Sequence, residues 1–109
     1  RDGNALRGLL MTSSTVAQVA SLSNAVRPAV GPGFRLQWEA VQNCHVMLYP
    51  EGMVKLSQSA GEIMKRCDGQ RSIAEIVAEL EQAFSTRGLE GDVLAFVEMA
   101  GKNRWLVWS

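Results

Sequence analysis

Residues 44–80 read CHVMLYPEGMVKLSQSAGEIMKRCDGQRSIAEIVAEL, and this stretch decides the fold of the 109-residue chain. It contains two short apolar runs that suit β-strands, residues 44–49 and 53–56, on either side of a Pro-Glu-Gly turn. Proline fixes φ at the first corner of such a turn, and glycine accepts a positive φ near the second. Two patterns with helical spacing follow, separated by Asp68-Gly69. The stretch therefore predicts two strands that lead into two helices.

A further strand pattern lies just before this stretch. Phe34, Leu36 and Trp38 alternate with Arg35 and Gln37, which is typical of a half-buried strand. Three consecutive strands with short connections predict an antiparallel meander.

The first 33 residues differ from the rest of the chain. They are rich in Ser, Thr, Ala, Asn and Gly, they lack aromatic residues, and the Gly31-Pro32-Gly33 cluster breaks any helix. We therefore expect a flexible N-terminal tail or linker over residues 1–33 and a folded domain over residues 34–109. The start at Arg1 rather than Met is what we expect of a fragment or of a piece of a fusion protein.

The first helix pattern carries two alternative start signals. Ser57 or Ser59 is the predicted N-cap, and Glu62 lies three residues after Ser59, as in a capping box. Gly69 is expected to end this helix in the left-handed C′ conformation.

Two more helices and a short apolar end complete the pattern. Ser72 with Glu75 predicts a capping box for the second helix, and Asp92 is the predicted cap of the third. Residues 105–108, WLVW, are expected to pack back or to add a short strand. The predicted fold class is α+β, a winged-helix-like domain in which a three-stranded antiparallel sheet is followed by three helices.

The composition excludes several classes of protein. Eleven basic and eleven acidic residues cancel, which argues against nucleic-acid binding, because Lys and Arg supply most of the affinity for phosphates. No apolar run approaches the ~20 residues that span a bilayer. We expect a cytoplasmic protein that binds neither nucleic acid nor membrane. A winged-helix nucleic-acid-binding domain stays as the alternative, with Lys65-Arg66 and Lys102 with Arg104 as its only clustered basic residues.

Catalytic and metal-binding patterns are sparse. Cys44 and Cys67 are too far apart in sequence for a zinc motif, and His45 is the only histidine. Cys44 and His45 are neighbours, but adjacent residues of a strand point to opposite faces and do not form a nucleophile–base pair. We therefore expect no enzyme activity, no metal and no cofactor.

The last strand of the meander is the candidate binding edge. An edge strand offers unpaired N–H and C=O groups that an extended peptide can use by β-augmentation. The candidate peptide-binding residues are Met53, Val54, Lys55 and Leu56 on this strand, and Leu94, Val97, Glu98 and Met99 on the third helix. Ordinary core packing of Val97, and a Lys55 that merely protects a solvent edge, remain open as alternatives.

The sequence also resembles a known family. The resemblance rests on FRLQWE (residues 34–39), HVMLYPEGMVKL (45–56), SAGEI (59–63), CDG (67–69) and IAEIV (73–77). On these segments the chain is similar to the pyrroloquinoline quinone (PQQ) biosynthesis protein D family, PqqD, whose members recognise the precursor of a ribosomally made, modified peptide (RiPP).

The resemblance implies a non-catalytic peptide chaperone of three strands and three helices. Such proteins bind the ribosomal precursor peptide PqqA and present it to PqqE, a radical S-adenosylmethionine (SAM) enzyme. Leader peptides in such domains add as a strand against the third strand, beside the third helix. On this chain, that places the peptide at residues 53–56 and at the 94–99 face.

The resemblance further bears on the N-terminal segment. Stand-alone members of the family begin close to the first strand, so residues 1–33 are expected to be a linker. One expectation is a fusion behind the oxidase PqqC, or an association with it.

Overall fold

The computed structural model describes residues 22–108. The elements in chain order are β1 (Ala29–Val30), β2 (Arg35–Glu39), β3 (Cys44–Tyr49), β4 (Gly52–Lys55), α1 (Gln58–Met64), α2 (Ile73–Ala83), α3 (Glu90–Lys102) and β5 (Leu106–Val107). The predicted three-stranded antiparallel sheet followed by three helices is confirmed.

The larger sheet is a meander in the order β2-β3-β4. Leu36, Met47 and Val54 lie opposite one another across the three strands. All three contact the hydrophobic core, so they mark the core face of this sheet. Side chains alternate along a strand, and Met53 and Lys55 therefore lie on the opposite face, which we call the outer face.

The smaller sheet joins the two ends of the described chain. β1 and β5 pair antiparallel, with Ala29 opposite Val107 and Val30 opposite Leu106. The prediction of a short terminal strand is confirmed. Its partner, however, lies in the segment that was expected to be a tail.

The packed structure begins before the expected boundary at Gly33. Leu22, Val26 and Val30 contact the core, and Ala29 also bridges Asp68. The first 21 residues of the expected tail lie outside the described residues. The reason for the earlier start is backbone bonding to distant parts of the chain, β5 and residues 69–74, which residue composition does not reveal.

The first helix begins and ends differently from the predictions. Ser57 is its N-cap and accepts a hydrogen bond from the Ala60 N–H at 3.2 Å. Ser59 lies inside the helix and is buried, so the predicted Ser59–Glu62 capping box does not form. The helix ends at Met64 with Lys65 as its C-cap, which places Gly69 (φ +78°) in the following loop rather than at C′.

Of the cap predictions for the other two helices, one is confirmed and one is wrong. Ser72 and Glu75 form the predicted capping box of α2, with bonds of 3.2 and 2.8 Å. The predicted Asp92 cap is wrong, because α3 begins at Glu90 with Leu89 at the N-cap position. Asp92 lies instead in the first turn, where a carboxylate favours the positive end of the helix dipole.

The core lies between the core face of the meander and the three helices. Its fully buried side chains include one from β3 and several from each helix: Met47, Ile63, Met64, Ile73, Ile76, Leu80, Val93 and Val97. β2 and β4 are the edge strands of the meander, and each pairs with β3 alone among the described residues.

Candidate functional site

The open side of β4 carries a defined set of backbone groups. The Leu56 N–H donates to the His45 carbonyl at 2.9 Å, and Val54 lies opposite Met47 in the same register. In an antiparallel ladder, alternate residues turn their N–H and C=O groups to the same neighbour. Residues 52, 54 and 56 therefore face β3, and the N–H and C=O groups of Met53 and Lys55 face the open edge.

The side chains of this segment differ in exposure. Met53 is 48 % exposed on the outer face, and Lys55 on the same face is also exposed. Val54 is half-buried on the core face. Leu56 is only 6 % exposed and belongs to the core, so its predicted side-chain contact with a peptide is not available. The strand itself ends at Lys55, and Leu56 attaches the end of the strand to the core instead of contacting a peptide.

The four candidate residues of α3 do not share one surface. Val97 is fully buried in the stripe that holds α3 against the core, which makes ordinary core packing the right interpretation of this residue. Leu94 and Glu98 are half-buried, and Met99 is 39 % exposed. Met99 lies roughly 140° around the helix from Leu94, because each residue turns by about 100°. Leu94 and Glu98 thus lie on one side of the buried stripe, and Met99 lies on the other side.

The helix is also packed differently from the predicted groove. α3 makes its main contacts with α2 and β5, not along β4. Glu98 borders an open cavity of about 340 Å³ together with Lys102, Val107 and Trp108. The structure therefore brings Met53, Val54 and Lys55 together at one edge, while the α3 residues are divided between the core and two separate flanks.

Sequence reasoning missed an exposed aromatic residue on the opposite edge of the sheet. Trp38 was expected to be half-buried by its alternation with Gln37, but it is 51 % exposed at the end of the core face. The sequence signal for its exposure is its position near the end of β2, just before the polar turn at residues 40–43. It borders an open cavity of about 620 Å³.

The titratable groups of the described residues are mainly structural. Burial raises the pKa of the Cys67 thiol to about 12, and its Sγ donates to the Ile63 carbonyl at 3.2 Å. Cys44 and Cys67 are both free thiols. Backbone N–H groups of Arg71 and Gln70 hold the pKa of Asp68 below its usual value by hydrogen bonding to its carboxylate. These groups stabilise a loop and a core rather than poise a reaction.

Two structural features are absent from residues 22–108. No group of three or more His, Cys, Asp or Glu side chains in this part of the chain is placed to hold a metal ion. Among the same residues, none of the helices has the length and apolarity to cross a membrane.

The fold and the edge define a class of protein. The chain is a small winged-helix-like α+β domain whose last meander strand leaves its outward backbone groups unpaired among the described residues. A family model for coenzyme PQQ synthesis protein D (PqqD) matches residues 44–106. The chain belongs to the PqqD family, and the resemblance drawn from the sequence is confirmed.

Individual relatives agree with this assignment. A protein of Azotobacter vinelandii named PqqA binding protein is 55% identical over 80 residues, which cover 72% of this chain and 87% of the relative. A protein of the same name from Klebsiella pneumoniae is 45% identical over 75 residues, or 68% and 82% of the two chains.

A solved structure shows the same architecture. It is the solution NMR structure of the PqqD truncation of Methylobacterium extorquens PqqCD, described as a functional and stand-alone RiPP recognition element. It superposes with a TM-score of 0.66 at 28% identity, over 83% of this chain and 98% of that chain.

Proposed function

We propose that this protein binds the precursor peptide PqqA in PQQ biosynthesis, as an extended strand added to the open edge of β4. The relatives named PqqA binding protein support the ligand. The observation that carries the proposal is the row of outward N–H and C=O groups at Met53 and Lys55, which have no strand partner within residues 22–108. Binding of this kind gives affinity through the main chain and specificity through alternate side chains.

The register of the edge defines the peptide pattern that fits best. A peptide residue opposite Val54 would face the core side of the sheet, and the residues before and after it would face the outer side. On that outer side, an apolar residue suits the exposed thioether of Met53 and an acidic residue suits the ammonium of Lys55. The preferred segment thus has an acidic and an apolar residue two positions apart.

Variants of Lys55 can test separately what its side chain and its backbone N–H contribute to peptide binding. Lys55→Ala removes the side chain and keeps the outward N–H. Lys55→Pro removes both, and an edge strand tolerates proline where the N–H faces away from the sheet. We expect Lys55→Ala to weaken PqqA binding by less than about fivefold and Lys55→Pro by more than about tenfold, measured by titration calorimetry.

Folding of both variants is checked from their backbone amide spectra. Equal affinities of two folded variants would contradict strand addition at β4 and move the peptide to another surface, such as the edge of β2. Amide shifts of the wild-type domain upon PqqA addition would identify that surface directly.

The second part of the proposal is that the domain is a non-catalytic chaperone that presents PqqA to the radical SAM enzyme PqqE. It is supported by the family membership. In a reaction of purified PqqE with PqqA, the Lys55→Ala domain should stimulate cross-linking more than the Lys55→Pro domain does. Cross-linking that is equally fast with either variant, or without the domain, would contradict presentation.

A further inference from the structure

A separate cavity lies between the β2–β3 hairpin and α1. Its volume is about 620 Å³, and Trp38, Asn43, His45, Gln58, Glu62 and Lys65 are among its lining residues. None of them belongs to the open edge of β4. Trp38 lies on β2, which is two strands and therefore roughly 10 Å away from that edge.

The aromatic wall of the cavity is held in place from two sides. The Trp38 and His45 rings meet edge to face, with centroids 5.0 Å apart and planes at 68°. Gly61 of α1 lies directly on the imidazole, since a Cβ at this position would come within 2.8 Å of His45 Nδ1. Half of the Trp38 surface nevertheless stays exposed. The imidazole is thus held between the indole and α1, and about half of the indole is an apolar surface that the described residues do not cover.

Two charged side chains, Glu62 and Lys65, line the cavity. The Glu62 carboxylate is shared between two cations, Arg66 Nη1 at 2.8 Å and Lys65 Nζ at 3.3 Å. The Lys65 side chain is 45% exposed, so its pairing with Glu62 is weak. Burial, and next the charge of Lys65, lower the pKa of His45, which leaves the imidazole mostly neutral at pH 7. The cavity therefore presents the half-exposed Lys65 ammonium, paired weakly with the less exposed Glu62 carboxylate that also lines it, beside a neutral aromatic wall.

We infer that this cavity is an anchor site for a second protein, which inserts an acidic side chain next to an aromatic one. Lys65 would receive the carboxylate, Trp38 would stack on the ring, and the amides of Asn43 and Gln58 would bond the inserted backbone. Exposed tryptophans in partly formed pockets are typical anchors of protein interfaces. A small metabolite would need a more enclosed site, because such ligands bury most of their surface.

A matched pair of dipeptides tests the inference with the intact protein. N-acetyl-Asp-Phe-amide carries the acid and the ring, and N-acetyl-Asn-Phe-amide is its isosteric neutral control. We expect the acidic peptide to shift the Trp38 indole N–H and the backbone amides of His45 and Lys65 in ¹⁵N spectra. Its Kd, in the millimolar range, should be about threefold to tenfold lower than that of the neutral peptide.

Variants assign the two contacts. Lys65→Met keeps the aliphatic stem and should abolish the difference between the two dipeptides. Arg35→Glu changes a charge on the outer face and should preserve that difference. Trp38→Ala should weaken both dipeptides, and Trp38→Phe should restore most of the binding.

The possible outcomes are distinct. Equal shifts by both dipeptides, or a difference that survives in Lys65→Met, would overturn the acidic anchor. The absence of shifts at Trp38 and Lys65 up to tens of millimolar would overturn the site as a whole. Because the readout lies outside residues 53–55, neither result bears on PqqA binding at β4.

Discussion

The two sheets of this domain differ in how far apart their paired strands lie in the sequence. The meander forms from strands that follow one another, joined by turns, and it leaves the outward groups of Met53 and Lys55 unpaired among the described residues. The β1–β5 ribbon forms from the two ends of the described chain and depends on close contacts at glycines. The difference teaches that the ribbon closes the domain and tolerates little change, whereas the meander can keep one edge available for a partner.

The largest effect is expected at Gly31, next to the ribbon. Its N–H donates to the Trp105 carbonyl at 2.8 Å, and an added Cβ would overlap the backbone carbonyl oxygen of Arg104. Because backbone cannot move aside as a side chain can, Gly31→Ala should lower the free energy of unfolding by about 3 kcal/mol. Urea unfolding measures this change.

Gly91 is the matched control for the same substitution. It lies in the first turns of α3, and a Cβ there meets nothing within 4 Å. Gly91→Ala should leave the protein equally stable or stabilise it by up to about 1 kcal/mol. A similar loss at both glycines would show that the ribbon is not specially constrained.

Gly101 should give an intermediate effect. A Cβ at this position of α3 would lie 2.5 Å from Trp108 Cη2, at the end of a side chain that can shift. We expect Gly101→Ala to cost about 1–2 kcal/mol and to change the tryptophan fluorescence, because the indole must move off the helix. A loss as large as that of Gly31→Ala would mean that Trp108 is as rigid as the backbone.

His45, on strand β3 of the meander, predicts that the stability of the domain depends on pH. Burial, and then the charge of Lys65, lower the pKa of His45 from its ordinary value of 6.5, and Glu62 opposes them only partly. Below pH 6.5 the unfolded chain therefore binds a proton more readily than the folded chain does. Stability should fall as the pH drops through this range and should level off below the folded pKa of His45.

The measurement is urea unfolding at a series of pH values from 7.5 to about 5. His45 is the only histidine of the chain, so His45→Gln should flatten the profile in this window. A slope that persists in His45→Gln would assign it to other groups. Burial raises the pKa of Glu62, but hydrogen bonds from Arg66 and Lys65 outweigh burial, so the pKa is lowered overall. Glu62 therefore changes its charge only in more acidic solution than this window.

The meander and the start of α2 were predictable from sequence because their signals are local. Strand alternation, the Pro-Glu-Gly turn and the Ser72–Glu75 capping box each act within a few residues. β1 was not predictable, since Ala29 and Val30 become a strand only through pairing with residues at the other end of the chain. Residues 24–28 are held by a second set of distant contacts, in which their carbonyls accept hydrogen bonds from the N–H groups of Gly69, Ile73 and Ala74 at 2.9 Å.

Prediction of the candidate site from local sequence patterns was limited in the same way. Alternation assigned the residues of β4 to faces, but it could not show that the strand ends at Lys55 and that Leu56 enters the core. Helical spacing put Val97 and Met99 on α3, but their division between core and surface depends on where α2 and β5 pack. Trp38 packs against His45 and borders an open cavity, and these surroundings are a property of the whole fold that strand alternation does not show.

The smallest effect on stability is expected at Met53, where one substitution can be compared at two positions of the meander. Met53 is 48 % exposed at the open edge, whereas Met47 is fully buried in the core. Met53→Gln should change the free energy of unfolding by less than about 0.5 kcal/mol, and Met47→Gln should cost about 2–3 kcal/mol, because its amide would be buried without a partner.

Peptide affinity should follow the opposite trend. Met53→Gln is expected to weaken PqqA binding by about threefold to tenfold, since the peptide loses an apolar contact on the outer face. Met47→Gln, measured at a temperature where it is folded, should bind nearly as well as the wild type. A folded Met47→Gln domain that loses binding while Met53→Gln retains it would place the peptide against the core side of the sheet instead of its edge.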